Sequence, residues 1–142
     1  MARRNYTLDD SGLTIKASAA VGTSAAGTVI VDFGAGFVEG NMLIDVTGIE
    51  IADNDETYDI ILQLSPDAAF GTAGNIREKL GIHLGAKEIK RSDCDADDVI
   101  GRYIVPFNND VAGTIYRYAR IYTVVGGTIT TGITYYARLC KR

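Results

Sequence analysis

Apolar side chains in this chain recur at every second residue, in short runs cut off by glycine, asparagine and aspartate. The run "ETYDIILQLS" (Glu56 to Ser65) shows this most plainly, with Tyr58, Ile60, Leu62 and Leu64 alternating against Asp59, Ile61 and Gln63. A period of two lines up one face of an extended strand, whereas on a helix it would scatter apolar groups around the circumference. One side of such a strand has to be buried, so the pattern demands stacked sheets.

The same style runs through "GTVIVDFG" (Gly27 to Gly34), a strand bounded by glycines, and "NMLIDVTGIEI" (Asn41 to Ile51). Between these runs lie "GAGFVEG", "ADND" and "SPDAAFGTAG", which supply turn chemistry: positive φ from glycine and local backbone hydrogen bonds from Asp and Asn. "NIREKLGIHLG" (Asn75 to Gly85) reads as a strand, because Gly81 and Gly85 would each weaken a helix by about 1 kcal/mol. "AKEIKRSDCDADDV" reads as an exposed loop, "GRYIVPF" as a strand ending at Pro106, and "NNDVAG" as a turn. Seven to eight strands and no long helix predict an all-β fold, an antiparallel sandwich or barrel. Residues 1–12 lack a pattern and read as an N-terminal arm, with one β-sandwich domain over 13–142.

A chain of 142 residues hides roughly 70% of its unfolded surface and needs no covalent staples. Its 14 basic and 18 acidic side chains leave a net charge of −4, which argues against direct nucleic-acid binding. Cys94 and Cys140 are far apart and read as two thiols in a reducing cytoplasm. "MARRNYTLDD" begins basic but no apolar run follows it, and no run approaches the ~20 residues that span a bilayer. These features predict a protein made in the cytoplasm that does not enter a membrane.

The stretch from Gly113 to Leu139 holds five of the eight tyrosines, three arginines and no acidic residue. It reads as a hairpin, Ile115–Val125 and Ile129–Leu139, reversing at Gly126-Gly127. Alternation then places Ile115, Arg117, Ala119, Ile121, Thr123 and Val125 toward the core, with Ile133, Tyr135, Ala137 and Leu139. Tyr116, Tyr118, Arg120, Tyr122, Tyr136 and Arg138 would form one outward aromatic–guanidinium face. Tyrosine and arginine are favoured in protein interfaces because they combine large area with a polar tip. Two other readings of that face are cross-strand packing with no ligand and a platform for sugars or bases.

Motifs for catalysis are sparse. His83 is the single histidine and reads as structural or exposed, and "GAG" at Gly34–Gly36 lacks the rest of a dinucleotide fingerprint. The acidic clusters Asp53, Asp55, Glu56, Asp59 and Asp93, Asp95, Asp97, Asp98 read as solvated turns. The second opens like a calcium loop, but Asp98 stands in place of the required glycine and Ile104 in place of the bidentate glutamate. No enzyme activity, metal or cofactor is expected.

Several segments, taken in order, resemble a family of tailed-bacteriophage head proteins, the cement (decoration) proteins of the Bordetella-podophage type. They are "VIVDFGAGF", "LQLSPDAAF", "GRYIVPF" and "YRYARIYTVVGGTITTGITYYARL", spanning roughly residues 28–140. The family's "DLG" corresponds to Asp32-Phe33-Gly34, its "LQxSxDxxF" to Leu62–Phe70, and its "YxRLxYxV" to Tyr118–Val124, which is one residue shorter and carries Ile121 for the usual leucine. The resemblance implies a jelly-roll-like β-sandwich that coats the outer capsid surface of a virion. It would be a homo-oligomer, dimer or trimer, made in the host bacterial cytoplasm and clamping neighbouring subunits of the major capsid protein. Arg3, Arg4 and Tyr6 are candidates for a capsid-contacting arm. The alternative is a carbohydrate-binding sandwich in a tail or host-attachment structure.

Overall fold

The computed structural model describes residues 13–86 and 100–141. The strands are β1 (Thr14–Val21), β2 (Ala25–Ala26), β3 (Val31–Asp32), β4 (Glu39–Ile49), β5 (Thr57–Ser65), β6 (Arg77–Gly85), β7 (Gly101–Asn108), β8 (Asp110–Val111), β9 (Thr114–Ile115), β10 (Tyr118–Gly126) and β11 (Ile133–Lys141). One sheet runs β1-β11-β4-β7; the other runs β2-β10-β5-β6, with β3 also on β10. Every pairing is antiparallel. Ala26 opposes Tyr122 and Asp32 opposes Tyr118, so β2 and β3 are two ends of one broken strand along the edge of β10. Counted so, the two sheets hold eight strands among the described residues, in the double Greek-key order of a jelly roll.

The alternation read from the sequence builds the core. Tyr58, Ile60, Leu62 and Leu64 from β5, with Ala119 and Ile121 from β10, face Met42, Ile44, Ile133, Tyr135, Ala137 and Leu139 from the other sheet, all fully buried. Burying each of the larger side chains stabilises the fold by about 1.5–3 kcal/mol. Thr123 Oγ1 and the Tyr135 hydroxyl meet at 2.6 Å across the sheets, satisfying both polar groups where water is excluded. Burial pushes the Tyr135 hydroxyl up to about 12.

The expected final hairpin is not formed. β10 pairs with β5, β2 and β3, and β11 pairs with β1 and β4, so Gly126–Gly132 carries the chain from one sheet to the other. Gly127 (φ 93°) and Gly132 (φ 81°) make this arch possible: a Cβ at either would collide with a carbonyl, that of Asp55 or of Val21. In a jelly roll consecutive strands mostly change sheets; among the long strands of the described residues only β5 and β6 are consecutive neighbours.

Three strand boundaries also differ from expectation. The "GTVIVDFG" run is not one strand, because only its Val31–Asp32 pairs; Ala25–Ala26 pairs just ahead of it. β7 continues through Pro106 to Asn108, which its place at a sheet edge permits, since a missing N–H there breaks no ladder. "NNDVAG" is a turn within a small ribbon, β8–β9, with positive φ at Ala112 and Gly113. "NIREKLGIHLG" does form a strand, over Arg77–Gly85.

Candidate functional site

The six tyrosines and arginines expected on one face occupy three places. Tyr116 is in the core, 8% exposed, while Ile115 before it is 38% exposed. The alternation slips here because β9 ends at Ile115 and β10 starts only at Tyr118. Asn109 fixes the crossing: its backbone O accepts from Tyr116 N (2.8 Å) and its Nδ2 donates to Tyr116 O (2.9 Å) and Gly36 O (3.0 Å). Arg117, expected inward, therefore points out. Tyr118, Arg120 and Tyr122 lie on the outer face of the β10 sheet, and Tyr136 and Arg138 on the outer face of the β11 sheet, across the sandwich. Arg3, Arg4 and Tyr6 lie outside the described residues, as do Cys94 and Asp93, Asp95, Asp97 and Asp98.

The β10 face is a lattice of interlocked side chains. Arg117 donates from Nε and Nη2 to the two Asp32 oxygens, each at 2.8 Å, and its guanidinium sits 5.2 Å from the Tyr118 ring. The Arg117 bond, followed by the Gly34 N–H, lowers the Asp32 carboxyl to about 2. Arg120 stacks over the Phe70 ring at 4.3 Å and donates to Gln63 Oε1 at 2.8 Å; Gln63 Nε2 donates to Glu78 Oε1 at 3.2 Å. Tyr122 stands beside Ile61 on the neighbouring strand, followed by Gly81 on β6. Tyr118 and Tyr122, four strand residues or roughly 13 Å apart, make no side-chain hydrogen bond among the described residues.

The turn that carries Phe70 is held by its own aspartate. Asp67 takes N–H bonds from Ala69 (3.0 Å) and Gly71 (3.3 Å), and its own N–H donates to Ser65 Oγ at 3.0 Å. Phe70 adopts a positive φ of 50° there, which puts its ring under Arg120. Asp32, Gln63, Phe70, Glu78 and Arg117 were not expected in the site. Asp32, Gln63 and Phe70 lie within the segments that carry the family resemblance. Arg117 was hidden by the slip in alternation, and Glu78 by a β-bulge between Leu62 and Gln63 that resets the β5–β6 register.

The other sheet's outer face differs. The Tyr136 hydroxyl is bonded to Thr14 Oγ1 at 2.7 Å, and Arg102 is paired with Asp45 at 2.6 and 3.0 Å, which lowers the Asp45 carboxyl. Leu43, beside Arg138, is buried although it is on this outer side.

The first acidic cluster, read from the sequence as solvated turns, is only partly so. Glu56 is fully buried and accepts the Asp53 and Asp55 N–H groups at 2.9 and 3.1 Å. Asp55 takes the N–H and hydroxyl of Thr128, both at 2.9 Å, tying this loop to the β10–β11 arch. Glu50 accepts the N–H groups of Thr130, Thr131 and Gly132, and these bonds, led by Gly132, hold its carboxyl near 2. Asp59 pairs with His83 across β5 and β6. Among the described residues no group of three or more His, Cys, Asp or Glu is placed to hold a metal ion.

Fold and face together define a jelly-roll sandwich with one preorganised aromatic–guanidinium surface. No protein-family model matches the chain, and no curated protein matches it.

Proposed function

We propose that this chain is a structural virion protein, a cement or decoration protein of a tailed-phage head that grips the outer capsid surface through the β10 face. The observation that carries this reading is a convergence. Asp32–Gly34, Leu62–Phe70 and Tyr118–Val124, the three segments on which the family resemblance rests, are remote in sequence yet meet around Tyr118. Tyr118 pairs with Asp32 on one side and Ser65 on the other, Arg117 clasps Asp32, and Phe70 lies under Arg120.

Such a surface suits adhesion. Its guanidiniums and rings are held before any partner arrives, so little side-chain freedom is lost on contact. Tyr118 and Tyr122 add aromatic area and hydroxyls for a partner's polar groups. Many copies on one head turn modest single contacts into firm retention. In this reading the chain is a dimer or trimer that bridges neighbouring major capsid subunits.

The test is addition of purified protein to heads stripped of their decoration. The expected result is a multimer by native mass spectrometry that co-sediments with heads, with binding weakened by Arg120→Ala or Tyr122→Ala and unchanged by Arg138→Ala. A monomer at micromolar concentration that stays in the supernatant when heads are pelleted would overturn it. A reproducible glycan ligand lost in Tyr118→Ala would assign the face to sugars instead.

A further inference from the structure

The two lateral edges of the sandwich are finished differently. At one, Lys79 on β6 reaches across to Asn108 at the end of β7 and to the Asp110 carbonyl in β8. At the other, β1 ends its sheet, and residues 27–30 between the halves of the broken strand leave a cleft of about 320 Å³. It is lined mainly by small and apolar groups, including Ala17, Ala19, Val21, Ala26 and Val29, with Thr28 at its rim and Lys16 at its head.

Edge strands that avoid partners usually carry an outward charge or a proline. The exposed part of β1 is Ala17-Ser18-Ala19-Ala20, small and uncharged. Lys16, the strand's one charged residue, is turned inward and is 9% exposed. Its Nζ donates to the carbonyls of Ala17 (3.1 Å), Ala19 (2.9 Å) and Tyr135 (3.1 Å) and lies 4.2 Å from the Tyr135 ring centroid. Two register shifts against β11, flanking Lys16, bring it there. Among the described residues no carboxylate is paired with this ammonium, although burial opposes its charge and lowers its pKa. The cleft thus joins a sheet edge, room for a small side chain and a positive charge that is bonded to carbonyls and has no carboxylate partner among the described residues.

We propose that this edge binds an extended acidic segment of another polypeptide, which adds a strand beside β1 and brings a carboxylate toward Lys16. Backbone pairing along β1 supplies affinity, the small-residue lining sets which side chains enter, and Lys16 selects an acidic residue over its neutral counterpart. The site is on the lateral edge, apart from the β10 face, and stands independently of the head-protein reading.

The probe is the peptide acetyl-Thr-Val-Glu-Val-Thr-amide, titrated into the full chain and followed by amide chemical shifts. Shifts are expected at residues 17–21 and 26–29, with affinity roughly tenfold lower for the Gln counterpart of the peptide and for Lys16→Met. Thr28→Glu places a rival carboxylate at an exposed position on the rim and is expected to weaken binding similarly, which keeps the test open if Lys16→Met does not fold. Shifts that map elsewhere, equal affinity for the Glu and Gln peptides, or an equal response to butyrate would overturn the proposal. If the chain self-associates and the Glu peptide dissolves the complex, the acidic segment belongs to a second copy.

Discussion

On the outer side of the β10 sheet, Tyr118 and Tyr122 keep their hydroxyls out of any side-chain hydrogen bond among the described residues, while the arginines between and beside them are locked to Asp32, Gln63 and Phe70. On the outer side of the β11 sheet, Tyr136 has already given its hydroxyl to Thr14 and Leu43 is buried. Both faces use the same residue types at the same spacing, yet one holds its polar tips in reserve and the other has used them internally. A tyrosine-rich strand is therefore evidence of an interface only after the hydroxyls' partners have been counted.

The contrast between inside and outside breaks most sharply at neighbouring residues of β10. Ile121→Asp buries an unpaired carboxylate at a fully enclosed position and is expected to unfold the domain, a loss of several kcal/mol. Arg120→Ala next to it loses the Gln63 bond and the Phe70 stacking and should lower stability by only about 1 kcal/mol. If Ile121→Asp stays folded by circular dichroism, the assignment of the two faces is inverted. Next in size is the slip at β9. Tyr116→Ala is expected to cost about 3 kcal/mol in urea denaturation, as removal of a buried aromatic does, whereas Tyr118→Ala should cost under about 1 kcal/mol.

A finer comparison separates the two outer faces. Tyr136→Phe deletes the bond to Thr14 and is expected to cost about 1 kcal/mol, while Tyr122→Phe should leave stability unaltered. Equal effects would mean that both faces use their hydroxyls alike. The smallest effect is electrostatic. Asp32 and Glu50 titrate near 2 in the folded chain, below their ordinary values of 3.8 and 4.5. A depressed carboxyl contributes stability above its unfolded value and loses it as pH falls through the folded one. Asp32→Asn and Glu50→Gln should therefore each flatten the decline in stability between about pH 4.5 and 2, measured by urea midpoints across that range. The buried tyrosines give the opposite limb. Tyr58 and Tyr135 are raised to about 12, so their contribution is kept below 10 and lost as pH climbs to about 12, when the unfolded chain ionises first.

Much of the fold was legible in the order of residues. The alternation in "ETYDIILQLS" became β5 with every second side chain enclosed, and Gly81 and Gly85 correctly marked "NIREKLGIHLG" as a strand. The site was legible only in part. Tyr118, Arg120 and Tyr122 do share a face, since residues two apart on one strand must. Tyr116 failed that rule because the strand is interrupted at Arg117. Tyr136 and Arg138 failed because their membership depended on which sheet the next strand joined. Asp55 looked like a loop charge and Glu50 lay within the "NMLIDVTGIEI" strand run, and only the arch folded over them reveals the backbone N–H groups they hold.

Composition and periodicity by themselves determined that this chain makes strands, where most of its turns fall, and which side of β5, β10 and β11 faces the core, while β1, whose burial does not alternate, escaped them. Those properties depend on neighbours a few residues apart, within reach of local sterics and of the cost of exposing apolar surface. Which strands lie side by side was settled by long-range packing: glycine at 127 and 132 let the chain cross from one sheet to the other, where a reading of the turn alone predicted a hairpin. Pairing partners are chosen by the burial of two whole sheets against each other, a sum over contacts that no single segment contains.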